Sequence, residues 1–377
     1  MKICIVAGAR PNFVKIAPIV WAVDKRSAEA TDLSYELVYV GTPDDVTLEP
    51  SLFNDLQIPP PSVFLGVDST DLNELTGQVM SAFERHLRQS NPNVVIVVDD
   101  LASTMAAAIV TKKAGLPLAH LVAGTRSFDI SMPKEINRLV IDGLSDLLFT
   151  AGVMSNSILS REGAENEKVY MVGNILIDCL RHNRERFLRP EVLEQNNIAD
   201  GTYLVLTLNR KALLSNAKKL KRLLTHLLQA AADTPIIAPL RPSARKVVQQ
   251  ILPQQTNIIF TQPLHYLHFG YLTLHAQGII TDSGNVSEEA TFNRVPCITL
   301  NSYTEHMETV TIGTNVLVGE DPERLSVAVE QILQRQWKKG RLPERWDGRT
   351  AERILYTLIS KFNSITPSHS YNSQPLL

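Results

Sequence analysis

Residues Val94, Val95, Ile96, Val97 and Val98 form an unbroken apolar run of strand length, with no polar position left over for a solvated face. Such a strand must be covered on both sides, which is the condition of a parallel sheet flanked by helices. The same succession of β-rich run, turn and helix-forming segment recurs along the chain. Lys2–Ala7 turns through Gly8-Ala9-Arg10-Pro11 into a segment whose Phe13, Ile16, Ala17 and Val20 share one helical face. Further strands are predicted at 37–40, 117–122, 147–150, 169–172, 204–207, 235–238, 258–260, 278–280, 296–300 and 315–318. Helices are predicted over 72–90, 181–189, 217–231 and 347–362. A fresh strand-helix alternation begins near Tyr203, so two βα arrays follow one another. This predicts an α/β protein of two doubly wound, Rossmann-like domains facing a cleft.

A length of 377 residues suits two domains. The formal charge of −2 gives no electrostatic reason for nucleic acid or a membrane surface as partner. Apolar runs are strand-sized, so no membrane span is expected. The start MKICIVAG enters a strand directly, which reads as no signal peptide and a cytoplasmic protein. Cys4, Cys179 and Cys297 stand far apart in apolar company and read as buried, reduced thiols. Neither metal-ligand spacing nor a dinucleotide fingerprint is present, so no metal and no cofactor is expected.

The residues at strand ends carry the chemistry. After Gly278-Ile279-Ile280 comes Thr281-Asp282-Ser283-Gly284-Asn285 and then a helix-forming stretch. A strand, a small-residue turn and a helix start make a seat for an anion, since orphan N–H groups and the helix dipole both favour negative charge. Glu289, about one and a half turns in, can accept from ribose hydroxyls. Equally, Asp282 or Ser283 can simply cap the helix. Asp100, at the end of the 94–98 run, is either an acid–base group or a helix cap. Arg10 and Lys15 are either ligand contacts or solvated cations. Phe269 can stack on a base or pack against a strand. Lys218, Lys219, Lys221 and Arg222 read as the solvated face of a helix.

Seven segments in order, spanning nearly the whole chain, resemble the non-hydrolysing UDP-N-acetylglucosamine 2-epimerases. They are Gly8-Ala9-Arg10-Pro11 with Lys15 and Pro18; His120 with Ala123-Gly124 and Arg126; and Pro133 with Glu135, Asn137 and Arg138. To these add Gly173-Asn174 with Asp178; Thr281-Asp282-Ser283-Gly284 with Glu288-Glu289-Ala290; Pro296-Cys297; and Thr304-Glu305 with Glu308-Thr309. The resemblance implies the fold of many nucleotide-sugar glycosyltransferases (GT-B-like), with a last helix that returns to the first domain. Expected domains are 1–175 plus 350–370, and 176–349, with a disordered tail at 364–377. It implies a UDP-sugar ligand of the UDP-HexNAc class and a homodimer. Ser283 and Gly284 would hold the phosphates, Glu289 the ribose, and Arg10 would reach the diphosphate, with Asn285 and Phe269 as further nucleotide contacts.

The family's reaction, as the resemblance implies it, removes a proton from C2, expels UDP and re-adds UDP with a proton on the opposite face. Asp100, Lys15, Lys134, Glu135, Asn209 and Arg210 are the candidates for that chemistry. The chain departs from the family where acids and bases are needed. Val122 and Lys134 replace two glutamates, and Asn209 replaces a histidine. Thr42-Pro43 stands for Gln-His, Arg241 for a histidine, and Lys211-Ala212 for Arg-Glu. The expected functions are therefore family-like isomerisation with Asp100 as the surviving carboxylate, glycosyl transfer to an acceptor on the same scaffold, or silent binding of a UDP-sugar.

Overall fold

The computed structural model describes residues 1–28, 33–252 and 257–362. They divide into two compact units, Met1–Arg181 with the residues from Glu344 on, and His182–Pro343. The junctions thus fall at 181 and 344, where 175 and 350 were expected. The tail at 364–377 lies outside the described residues.

In the first unit, β1 (Lys2–Ala7), β2 (Ser34–Tyr39), β3 (Val63–Phe64), β4 (Val94–Val98), β5 (Leu118–Leu121), β6 (Leu147–Thr150) and β7 (Val169–Met171) form one sheet, ordered β3-β2-β1-β4-β5-β6-β7. In the second, β8 (Leu204–Leu206), β9 (Ile236–Pro239), β10 (Ile258–Thr261), β11 (Gly278–Thr281), β12 (Cys297–Thr299) and β13 (Asn315–Leu317) are ordered β10-β9-β8-β11-β12-β13. Neighbouring strands pair in parallel throughout.

Two-sided burial explains the sequence pattern. Leu204, Ile236, Ile280 and Ile298 share one apolar cluster, while their neighbours Val205, Ile237, Ile279 and Cys297 belong to the cluster on the opposite face. A period of two with both phases apolar is what a sheet covered by helices on each side requires. The helix Ala217–Ala231 covers the first of these faces with Leu220, Leu223, Leu224 and Leu227. Its Lys218, Lys219, Lys221 and Arg222 are exposed, the solvated face that was expected. The helix Leu72–Ser90 starts at Asp71, whose carboxylate accepts from the N–H groups of Asn73 (2.9 Å) and Glu74 (2.8 Å).

Two elements lie elsewhere than expected. The helix assigned to 181–189 runs instead over Ile175–Asn183, followed by a 3-10 turn at Arg184–Arg186. Ile175, Leu176, Ile177, Cys179 and Leu180 supply its buried face, and the charged residues that follow have no apolar period to continue it. The returning helix begins at Thr350 rather than 347, because Gly348 takes φ +71° just before it. Its N-terminus is capped from a distance, as the Asp178 carboxylate accepts from the N–H groups of Thr350 (3.1 Å) and Ala351 (2.8 Å).

Both sheets reverse strand order once, between β1 and β4 and between β8 and β11. Ligands of open α/β sheets bind beyond the carboxyl ends of the strands at such points. The residues there are Gly8–Arg10 and Asp99–Asp100 in one unit, and Thr207–Arg210 and Asp282–Gly284 in the other.

Burial pushes the Asp178 carboxyl up to about 6, against the opposing pull of the Ala351 and Thr350 N–H groups. The folded protein therefore keeps a proton that the unfolded chain releases near pH ~3.9. This group's contribution to stability is full below the unfolded value and is lost as pH rises through about 6. Asp178→Asn is expected to remove that slope from the difference between variant and parent stability curves in denaturant. Asp178→Ala, which strands two N–H groups, is expected to lower stability by about 1–3 kcal/mol at every pH measured.

Candidate functional site

In the second unit the reversal point is built by a carboxylate. Asp282 follows β11 and accepts from the N–H groups of Asn209 (2.8 and 3.0 Å) and Arg210 (2.8 Å), which follow β8. Below it the hydroxyls of Thr207 and Thr281 meet at 2.6 Å, and the Ser283 N–H donates to Thr281 Oγ1 at 3.0 Å. Asp282 is thus committed to the neighbouring loop and does not cap the helix. Ser283 is the cap residue of the helix Gly284–Asn293, with extended backbone and no side-chain cap bond. Its hydroxyl is therefore not used in capping, and a helix start of this kind leaves its first N–H groups without intrahelical partners. Gly284 is exposed, and Asn285 lies in the first turn.

Glu288 and Glu289 separate in role. The Glu288 side chain is 3% exposed and stands 3.2 Å from His306 Nδ1. Burial, reinforced by the Glu288 carboxylate, pushes Glu289 up to about 8. The His306 ring lies over Gly284, 3.5 Å from where a Cβ would be. Sequence reasoning did not select His306, since its nearness to the turn is a product of folding with no signal in spacing.

Several sequence candidates have partners already. Arg210 bonds Asn301 and the Leu300 carbonyl (3.3 Å) and approaches Glu320 (3.6 Å). Asn209 is exposed, as is Arg241 at the head of its helix. Phe269 is half-buried and packs against the apolar cluster that holds Leu272, Val205 and Ile237.

In the first unit, Asn12 folds the β1 turn around its own side chain. Asn12 Oδ1 accepts from the N–H groups of Gly8 (2.9 Å) and Ala9 (3.0 Å), and its Nδ2 donates to Asp99 at 2.8 Å. Lys15 is buried and bonded to Asp99. Arg10 opens the helix and is half-buried. His120 joins this edge to the next, with Nε2 2.9 Å from the Asp99 carbonyl oxygen and Nδ1 2.6 Å from Asp142. Asp142 also accepts from the Gly124 N–H (3.1 Å) and pairs with Arg126 (2.7 Å). Burial opposes its ionisation, but His120 and Arg126 outweigh burial and hold its pKa below the usual range.

Asp100 lies beside this framework. Its Oδ2 accepts from Arg138 at 2.6 and 2.9 Å, and Lys134 Nζ approaches its Oδ1 at 3.1 Å. Burial raises the Asp100 pKa, yet Lys134 and Arg138 together bring it below the ordinary value. Glu135 is spent on structure. It is 3% exposed and accepts from Ser127 N–H (2.9 Å), Ser127 Oγ (2.9 Å), Phe128 N–H (3.0 Å) and Arg138 (3.0 Å). Those four donors outweigh its burial and hold the Glu135 pKa below the usual range. Val122 takes φ +74°, a left-handed conformation that is an outlier for a β-branched residue.

The sequence profile of the UDP-N-acetylglucosamine 2-epimerases matches residues 25–359. The chain belongs to the UDP-N-acetylglucosamine 2-epimerase family. A UDP-N-acetylglucosamine 2-epimerase of Methanocaldococcus jannaschii is 33% identical over 95% of this chain and 99% of its own length. A crystal structure of that organism's enzyme, in complex with UDP-GlcNAc and UDP, superimposes with TM-score 0.83 over 96% of this chain and 100% of the other, at 33% identity. A UDP-2,3-diacetamido-2,3-dideoxy-D-glucuronate 2-epimerase of Pseudomonas aeruginosa is 33% identical over 85% of this chain and 88% of its own. A lipopolysaccharide outer core galactosyltransferase, at 12% identity and TM-score 0.55 over 96% of this chain and 100% of its own, shares the GT-B-like fold alone. No described helix is long and apolar enough to cross a membrane.

A Glu289 carboxyl held up to about 8 accepts hydrogen bonds more strongly once it is ionised. Affinity for a hydroxyl-bearing ligand held by Glu289, tested with UDP, is expected to rise with pH up to about 8. Calorimetry across that range should give a steeper pH dependence for the parent than for Glu289→Gln. Parallel curves would remove Glu289 from the ligand contacts.

Proposed function

We propose that the chain binds a UDP-sugar of the UDP-HexNAc class and, by family chemistry, acts at its C2–H, with proton abstraction much slower than an intact acid–base set would give. The Asp100 cluster carries this reading. Its carboxylate is neutralised by Lys134 and Arg138, and its lowered pKa makes it a weak base for a C–H bond. Val122 offers no proton, and Lys134 is an ammonium where the family resemblance has a carboxylate. Each missing acid or base removes about 10² to 10⁴ in rate. The cations retained in the chain suit the other half of the reaction, stabilising a departing diphosphate.

Support for the ligand comes from the relatives, whose names place UDP-GlcNAc and a UDP-diacetamido-glucuronate in homologous enzymes. Both are 2-acetamido sugars on UDP. The Ser283–Asn285 turn and Glu289 supply what a nucleotide diphosphate needs. Glycosyl transfer has only the shared fold in its favour.

The test is NMR of UDP-GlcNAc in heavy water. Expected is saturable binding of UDP and UDP-GlcNAc, with deuterium entering C2 at least about 10²-fold more slowly than turnover at ~10 s⁻¹. Ordinary turnover by the parent, or no affinity for uridine nucleotides, would overturn the proposal. The double variant Val122→Glu, Lys134→Glu restores two carboxylates and is expected to accelerate C2 exchange by about 10² or more.

A further inference from the structure

A second group of ionisable side chains lies in the first unit, toward the amino ends of β1 and β2 and so away from the ligand edge. Cys4 on β1 stands in register opposite Glu36 on β2, and the helix Leu72–Ser90 brings His86 and Ser90 over them. Glu36 Oε1 is 3.1 Å from His86 Nε2 and also accepts from Ser90 Oγ, while Glu36 Oε2 is 2.8 Å from Lys2 Nζ. The Cys4 thiol shares the same carboxylate. The ligand atoms of Cys4, Glu36 and His86 all lie within 4.8 Å of one another. Among the described residues no other cluster of three His, Cys, Asp or Glu side chains comes this close.

We propose that Cys4, Glu36 and His86 form a binding site for a thiophilic divalent cation of the zinc type, with Lys2 as its built-in competitor. The donor set is one thiolate, one imidazole and one carboxylate, a mixture that zinc takes with tetrahedral geometry. Bond lengths of about 2.0–2.3 Å put tetrahedral ligand atoms roughly 3.5 Å apart, so a contraction of about 1 Å closes the site. Ser90 Oγ or water would complete the coordination.

Lys2 shows that the seat already favours positive charge. Its ammonium donates to Glu36 (2.8 Å), Ser90 Oγ (3.0 Å) and the Ser90 carbonyl (3.0 Å). Three oxygens converging on one ammonium are an arrangement a metal ion can take over. The Lys2 side chain is 36% exposed and can swing to solvent, whereas Cys4 is fully enclosed. Glu36 and His86 are 11% and 14% exposed, which leaves an entry path. The His86 ring stacks on Phe83 with centroids 6.2 Å apart, fixing its orientation. Bound metal would cross-link the helix Leu72–Ser90 to β1 and β2.

The test uses the full chain, stripped with chelator and titrated with cobalt(II), then with zinc. Expected are thiolate-to-cobalt charge transfer in the near ultraviolet, ligand-field bands displaced by zinc, and a zinc-dependent rise in melting temperature. Cys4→Ala should abolish the charge-transfer band. His86→Gln, at a partly open position, should weaken affinity by more than the about 10- to 100-fold that loss of an outer-shell partner costs. Lys2→Gln should bind metal more tightly than the parent, which a purely structural role for the ammonium would not produce. Absence of the thiolate band, its persistence in Cys4→Ala, or weaker binding in Lys2→Gln overturns the proposal.

Discussion

The ligand edge of the first unit depends on one buried carboxylate, Asp142. It faces His120, Arg126 and the Gly124 N–H. Through His120 the linkage continues to Asp99, and through Asp99 to Asn12 and Lys15. Loops after β1, β4 and β5 are therefore positioned by one connected set of charge-assisted hydrogen bonds. Removing one member of such a set leaves buried charge uncompensated, which is far more damaging than loss of a surface pair. In the loop after β5, Val122 takes a left-handed conformation worth about 1–3 kcal/mol of strain, and its carbonyl accepts from Thr125 Oγ1 (3.2 Å).

The second unit solves the same problem with Asp282, which gathers two backbone N–H groups from the loop after β8. Burial raises the Asp282 pKa against the pull of the Arg210 and Asn209 N–H groups. Each unit thus fixes its strand-order reversal point with an acidic residue turned inward. The helix Gly284–Asn293 is left with a cap residue whose hydroxyl is not consumed. Scaffolding and ligand chemistry are assigned to adjacent residues, Asp282 and Ser283.

Most strands could be read from the chain because two-sided burial leaves a strong mark. Val94–Val98 and Leu204–Leu206 have no solvent phase to blur the pattern. The helix at 181–189 was misplaced because charge density is a poor guide to helix limits, while the apolar residues from Ile175 on decided them. Candidate residues were harder to judge. A glutamate in a motif looks the same whether it meets a substrate or, like Glu135, ties down Ser127 and Phe128. Lys15 and Asp99 are far apart in sequence, and so are Cys4, Glu36 and His86. Pairings of that kind arise only when parallel strands bring distant segments side by side, so periodicity and spacing could not announce them.

The distant cap on the returning helix bears on how the molecule is made. Asp178 must wait for Thr350, and every residue of the second unit is synthesised between them. The amino-terminal sheet can pair its strands early, yet it stays short of its final helix until the carboxy-terminal sheet has emerged from the ribosome. Apolar surface meant for Ile354, Leu355 and Leu358 is bare during that interval. Contacts of such long sequence separation close slowly, and chains that rely on them are vulnerable to aggregation while they wait.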